Sequence, residues 1–362
     1  MTRPRNKRWR RAGYIFLLFL VPKLLLAMVP DSSLTIVLAG DIMLGRGVKR
    51  HIDTTSQAYP FELTSQLTSR ADLAIANLES PLTMAEYRST SPWRFRGDTS
   101  AAAAAIKAAG FDAVSLANNH ALDCGPEGLA QTVVSLGSAG VSYAGIAFGP
   151  LLGADSSLCR LSVVTVRGRR VGLLAFCEPY LLKIAKEYGA ALIPPADSAA
   201  VVGSIAAARG KCDLLICSFH WGREYQDHPT RVQRRLGRLA IDAGAKIVHG
   251  HHPHVLQGVE FYHGGLIAYS LGNYIFDQRN GKPRQSALLF VKLRLASSSP
   301  VRPSSVEVDS VSILPLEIVD NRPRPAALQA KAILKRLARL CRRIGTAAAV
   351  EGRRLLLAPT GR

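Results

Sequence analysis

Short apolar runs recur along the chain, and each stops abruptly at a polar side chain. Thr35–Ala39 ends at Gly40-Asp41, Leu73–Ala76 at Asn77-Leu78-Glu79, and Ala113–Ala117 at Asn118-Asn119-His120. Leu214–Phe219 ends at His220-Trp221-Gly222, and Lys246–His249 leads into His251-His252-Pro253-His254. Runs of this length read as buried strands that deliver a side chain at their carboxyl ends, where open α/β sheets place their sites. Five such deliveries point to one shared metal site.

Helical signals fill the intervals. Thr99–Ala109 is Ala-rich and Gly110 ends it, while Pro126–Ala139 has Pro near its first turn and Gly140 just beyond. Ala196–Ala208 and Pro229–Ala243 also read as helices. Leu161–Val166 and Val171–Phe176, joined by Arg167-Gly168-Arg169-Arg170, predict a hairpin, and Val255–Tyr262 with Leu266–Leu271 a second. Ala287–Leu295 is a further strand, and the Ser- and Pro-rich Ser297–Ser305 a loop. The pattern predicts an α/β fold of alternating units with antiparallel additions and no internal repeat.

At 362 residues and 48% hydrophobic the chain has material for one sizeable domain with extensions. Its formal net charge is +20, and most of it is terminal. Met1–Gly13 carries six Arg and Lys residues, and Lys331–Arg354 carries eight against the single acid Glu351. The first cluster precedes the apolar Tyr14–Val29, which gives the order of a signal peptide or an N-in signal anchor. The predicted layout is a basic cytoplasmic segment over 1–13, a membrane or signal segment over 14–30, a main domain over 31–325 outside the cytoplasm, and a basic helical extension over 326–362. In that extension Leu328, Ala332, Leu334, Leu337, Leu340 and Cys341 fall near helical spacing among basic residues. Such a helix packs one face on the domain, or lies on anionic lipid or an acidic polymer.

Imidazole, carboxylate and amide oxygen together suit divalent Zn, Mn, Fe or Mg. The six cysteines show no Cys-x-x-Cys spacing, which argues against a zinc knuckle or a redox pair. Taken singly, each polar cluster has a plainer reading. Asp41 after a strand can be a turn residue, His220 beside Trp221 a packed core histidine, and Asn118-Asn119 mere turn geometry. Their joint occurrence favours ligands. His249 with His251 forms a second His-x-His beside His252 with His254.

Six stretches in order carry a resemblance: Gly40–Arg46, Asn77-Leu78-Glu79, Asn118–Gly125, His220-Trp221-Gly222, His252–Val255 and Tyr269–Asn273. Across roughly residues 34–320 the chain resembles the CapA family of capsule and poly-γ-glutamate biosynthesis proteins, itself similar to the calcineurin-like metallophosphatases. The resemblance implies an α/β/β/α sandwich of two mixed sheets and one or two divalent ions. It implies Asp41, Glu79, Asn119, His220, His252 and His254 as metal ligands and His120 as the catalytic proton donor to a leaving group. Met43 stands where the superfamily pattern has a histidine. Asp123 and Asn273 are candidates for supporting roles, and Arg46 and Arg223 for contact with an anionic substrate.

The function expected is a membrane-anchored, metal-dependent hydrolase or transferase acting on an anionic extracellular polymer or a phosphoester, alongside other membrane-bound polymer-synthesis proteins. The alternative is a non-catalytic accessory protein that binds or guides such a polymer. Nucleic acid is disfavoured because no aromatic interleaving accompanies the charge. The chain lacks a Gly-x-x-x-x-Gly-Lys-Ser/Thr phosphate loop.

Overall fold

The computed structural model describes residues 33–146, 158–182, 192–278, 280–295 and 306–360. The segments read as a cytoplasmic arm (1–13), a membrane or signal segment (14–30) and a Ser/Pro loop (297–305) lie wholly or mostly outside these residues. Among the described residues no helix is long and apolar enough to cross a membrane.

Two mixed sheets form the frame. In the first, β1 (Ser33–Ile42), β2 (Leu73–Leu78), β3 (Ala113–Ser115) and β4 (Ser142–Ala144) run parallel. On the other side of β1 the sheet continues antiparallel through β12 (Gln285–Leu295) and β13 (Val306–Val319). The short β11 (Asn273–Ile275) pairs parallel with the end of β1, and β14 (Arg322–Pro325) with β13. In the second sheet β5 (Ser162–Val166) and β6 (Arg169–Cys177) form a hairpin. From β6 the order runs parallel through β7 (Leu214–His220), β8 (Ile247–His251) and β10 (Gly265–Ala268), with β9 (Val259–Tyr262) antiparallel at the edge.

One apolar core holds Leu34, Ile36 and Leu38 of the first sheet together with Leu173, Ile216, Ile247 and Leu266 of the second. The sheets therefore pack on each other. A helix α3 (Ser100–Ala108) joins that core through Ala102, Ala103 and Ile106, so its alanines are small to let it lie close. Helix α4 (Gly125–Ser138) contributes Leu129 and Leu136. A separate core lies between the second sheet and two further helices, α5 (Ser198–Ala208) and α6 (Arg231–Ala243), where Val201, Ile205, Leu236 and Ala240 meet Phe176, Phe219 and Trp221. Helix α6 starts in a capping box in which Thr230 and Gln233 satisfy each other's backbone N–H. Two shorter helices, α1 (Arg46–Thr54) and α2 (Ser65–Thr68), follow β1.

The helical reading of 326–362 needs correction. Helix α7 covers only Ala330–Arg343, burying Ile333, Leu334, Leu337 and Cys341. The chain then returns as a hairpin, β15 (Thr346–Glu351) and β16 (Arg354–Pro359), and β16 pairs with β13. The segment is thus an edge of the first sheet. Val255–Gly258 is likewise not strand; the second predicted hairpin is confined to β9 and β10.

Candidate metal centre

The parallel strands of both sheets deliver the polar clusters at their carboxyl ends. Close approach there requires glycine. A Cβ on Gly40 would lie 1.9 Å from the Gly272 carbonyl oxygen, and one on Gly250 would lie 2.1 Å from that of Tyr269.

Asp41 is fully buried. Its Oδ1 accepts from Asn77 Nδ2 at 2.9 Å and its Oδ2 from the His252 backbone N–H at 3.4 Å. His251 Nδ1 lies 3.1 Å from Oδ1, and His254 Nδ1 lies 3.7 Å from Oδ2. Glu79 follows β2 and is held by its own N–H donating to the Ile42 carbonyl at 2.8 Å. Both its carboxylate oxygens are buried without a hydrogen-bond partner. Burial first, then repulsion from Asp41 and Glu224, pushes this carboxyl well above the usual range.

Asn118 sets the turn that aims its neighbours. Its Nδ2 donates to Asn77 Oδ1 and to the Leu78 carbonyl, and its Oδ1 accepts the His120 N–H at 3.1 Å. Asn119 Oδ1 meets His220 Nε2 at 2.7 Å, and the same nitrogen is 3.6 Å from Glu79 Oε1. The strand period sends His220 into the site and Trp221 to the opposite side, where its indole donates to the Tyr269 carbonyl at 3.0 Å. His254 Nδ1 meets Asn273 Oδ1 at 2.8 Å. Because Asn273 Nδ2 donates elsewhere, this pairing assigns the proton to Nδ1 and leaves His254 Nε2 for a ligand, 3.9 Å from Glu79 Oε1. His252 and His254 both hold left-handed backbone, φ 94° and 55°, a cost of order 1–3 kcal/mol each that clusters at functional sites.

Two donor groups share Glu79. Asp41, Glu79 and His254 form one, and Glu79, His220 and His252 the other, each with ligand atoms within 4.8 Å of one another. The orphaned Glu79 oxygens and the unpartnered His252 Nδ1 are what a cation would satisfy. Burial pushes His220, His252 and His254 below the usual imidazole range and His251 down to about 3, so the rings are neutral and ready to ligate. The arrangement is compatible with divalent metal binding. Met43 is fully buried and its sulfur accepts the Gly45 N–H at 3.1 Å. His249 falls outside these donor groups: its Nε2 meets the Ala39 carbonyl at 2.8 Å between the sheets.

His120 stands beside this cluster. Its Nδ1 is 2.8 Å from Asp123 Oδ2, and its ring stacks on Phe95 at 3.9 Å. Asp123 Oδ2 also accepts the Phe95 N–H at 2.7 Å, which fixes the pair. His120, Asn119 and His254 line a cavity of about 710 Å³ whose other walls include Trp93, Tyr225 and Arg46. Arg46 is paired with Asp277 and lies over Phe95. Arg223 lines a different cavity, of about 560 Å³, with Glu178 and Tyr180. Sequence reasoning missed Asn77 and Asp277 as supports, and it missed Glu224, which groups with His252 and His254; its place four residues after His220 was the available signal.

Residues 35–278 match the family described as bacterial capsule synthesis protein PGA_cap. The chain belongs to this family. The capsule biosynthesis protein CapA of Bacillus anthracis is 30% identical over 305 residues, covering 82% of this chain and 70% of that protein. The PGA biosynthesis protein CapA of Bacillus subtilis is 29% identical over 311 residues, covering 85% and 78%. A probable polyglutamine synthesis accessory protein of Mycobacterium tuberculosis is 27% identical, covering 87% and 93%. A solved structure, a putative 5'-nucleotidase from Staphylococcus aureus in complex with alpha-ketoglutarate, overlaps with a TM-score of 0.44 at 14% identity. That overlap covers 85% of this chain and 58% of the other.

Proposed function

We propose that this PGA_cap-family protein is a metal-dependent hydrolase or transferase of metallophosphatase type, acting in capsule or poly-γ-glutamate biosynthesis. In this reading residues 14–30 anchor it with the main domain outside the cytoplasm. The observation that carries the chemistry is the Glu79 carboxylate, buried without a partner where two donor groups meet, beside the His120–Asp123 pair. Asp41, Glu79, Asn119, His220, His252 and His254 would hold one or two ions. When bound, such ions supply Lewis acidity and a water acidic enough to attack near neutral pH. Asp123 accepts the His120 Nδ1–H, which leaves Nε2 as the atom that takes up a proton and gives it to a departing oxygen. Stacking on Phe95 keeps the ring from turning away. Exposed Trp93 and Tyr225 give the cavity flat apolar faces for a substrate.

The exposed basic residues Lys331, Lys335 and Arg339 on α7 favour a second reading, a non-catalytic protein that guides a polyanion. Part of the helix's charge is already used within the fold: Arg336 pairs with Asp227 at 2.7 Å, Arg342 donates to the Ala348 carbonyl and Arg343 meets His228. A His120→Ala variant separates the readings. The catalytic one expects retained metal by elemental analysis and a loss of about 10²–10⁴-fold in turnover of a phosphodiester or the native polymer. Normal capsule output from a well-expressed His120→Ala strain would count against catalysis by this residue.

A further inference from the structure

We propose that Glu224 is a further carboxylate ligand of the metal centre, closing it on the cavity side. The inference rests on the metal-dependent reading above. A Glu224 carboxylate oxygen and ring nitrogens of His252 and His254 lie within 4.8 Å of one another, the same closeness that unites the two groups around Glu79. Each of those groups supplies three imidazole or carboxylate atoms, and Asn119 adds one on the His220 side, whereas divalent ions of this class take four to six donors.

The loop that carries Glu224 is built onto the histidines. Tyr225 N–H donates to the Pro253 carbonyl at 2.8 Å, midway between His252 and His254. Tyr225 itself adopts left-handed backbone, φ 63°. A left-handed residue on each side of this contact is a costly way to shape a loop that has nothing to hold. His252, almost wholly buried, keeps its Nδ1 unpartnered below that loop.

Charge points the same way. Glu224 is near enough to Glu79 to add to the repulsion on that buried carboxyl, with Asp41 as a third acid. Arg46, which offsets part of this repulsion, is already tied to Asp277. Three acids converging on two neutral imidazoles are stable together when a cation lies between them. Because Glu224 is exposed and lines the cavity, it is also a donor that an arriving substrate can displace. Met43, by contrast, has its sulfur engaged by the Gly45 N–H.

The test is Mn(II) binding to the chelator-stripped full-length protein, followed by calorimetry and by the electron paramagnetic resonance of the ion. Glu224→Ala and Glu224→Gln should each weaken binding by about tenfold or more, or lose one equivalent, and change the Mn(II) spectrum. Melting in chelator should not fall, since the side chain is exposed and its loss relieves repulsion on Glu79. Met43→Leu should bind as the parent does. Parent-like affinity and spectrum in both Glu224 variants would overturn this assignment and leave the metal reading standing. Failure of the parent itself to bind would overturn both.

Discussion

Replacing Glu79 by Gln should stabilise the protein in chelator and destabilise it in metal. The side chain is fully buried and neither oxygen has a partner, so without a cation the fold carries an uncompensated acid. Leaving a buried acceptor unsatisfied costs about 1–3 kcal/mol, and more when it is charged. Gln keeps the volume and removes the charge, yet still buries an amide, so a net gain of about 1–2 kcal/mol is expected. For a domain of this size that is a rise of roughly 1.5–3 °C in melting temperature. At a free Mn(II) concentration about 100 times Kd the parent gains about 2.7 kcal/mol from binding, which the variant largely forfeits. The order of the two melting temperatures should therefore reverse. The pH dependence is fixed in sign. The native carboxyl lies above its ordinary 4.5, so the parent's penalty is absent below that value and grows as pH rises through the raised one. Differential scanning fluorimetry at pH 5 and pH 8, with chelator and with Mn(II), reads all of this. An unchanged ranking with and without metal, or an advantage that does not grow with pH, would refute the reasoning.

Two further outcomes follow from the same site. His220→Ala and His252→Ala should each lower bound metal in elemental analysis while keeping the far-ultraviolet circular dichroism of the parent; full metal content in both variants would remove these residues from the ligand set. The chelated protein should lose stability as pH falls below about 6.5, because burial holds five imidazoles neutral, His220, His249, His251, His252 and His254, while the unfolded chain protonates them. The raised carboxyls of Asp41 and Glu79 oppose this for at most two protons, and each uncompensated proton is worth about 1.4 kcal/mol per pH unit. A flat melting profile between pH 7 and pH 5 would contradict it.

The strand-to-ligand pattern was legible because it is local. A buried strand of the parallel type is apolar on both faces, and it ends where the side chain turns polar, as at Ala39-Gly40-Asp41. The helices read at Thr99–Ala109 and Pro229–Ala243 were equally plain and form over Ser100–Ala108 and Arg231–Ala243. The C-terminal hairpin was not, since Ala347-Ala348-Ala349 reads as helix and becomes strand only through its ladder to β16. Residues 306–319 went unread for a related reason: Pro315 interrupts the pattern, and pairing with Ala287 places it in the sheet. Within the site, spacing could not rank His249 with His251 against His252 with His254. Left-handed backbone after β8 brings His252 and His254 into donor groups with Glu79, while His251, still on the strand, approaches Asp41 at 3.1 Å and His249 turns to the Ala39 carbonyl. Asn273 and Asn77 owe their roles to partners distant in sequence, and neither was legible as a support for one named ligand.

The first strand of the domain takes its place between partners from opposite ends of the chain: Leu38 sits beside Ile75 on one side and beside Leu289 on the other. Contacts of such long sequence separation form late in folding. Asp41, at the end of that strand, therefore owes its position to contacts that close long loops of chain. The donors proposed above run from Asp41 to His254, so no fragment that stops at the end of β8 holds the full set. In the metal-dependent reading proposed above, the ion bound would then be the one available where folding ends, and the same sequence expressed in different hosts would carry different ions.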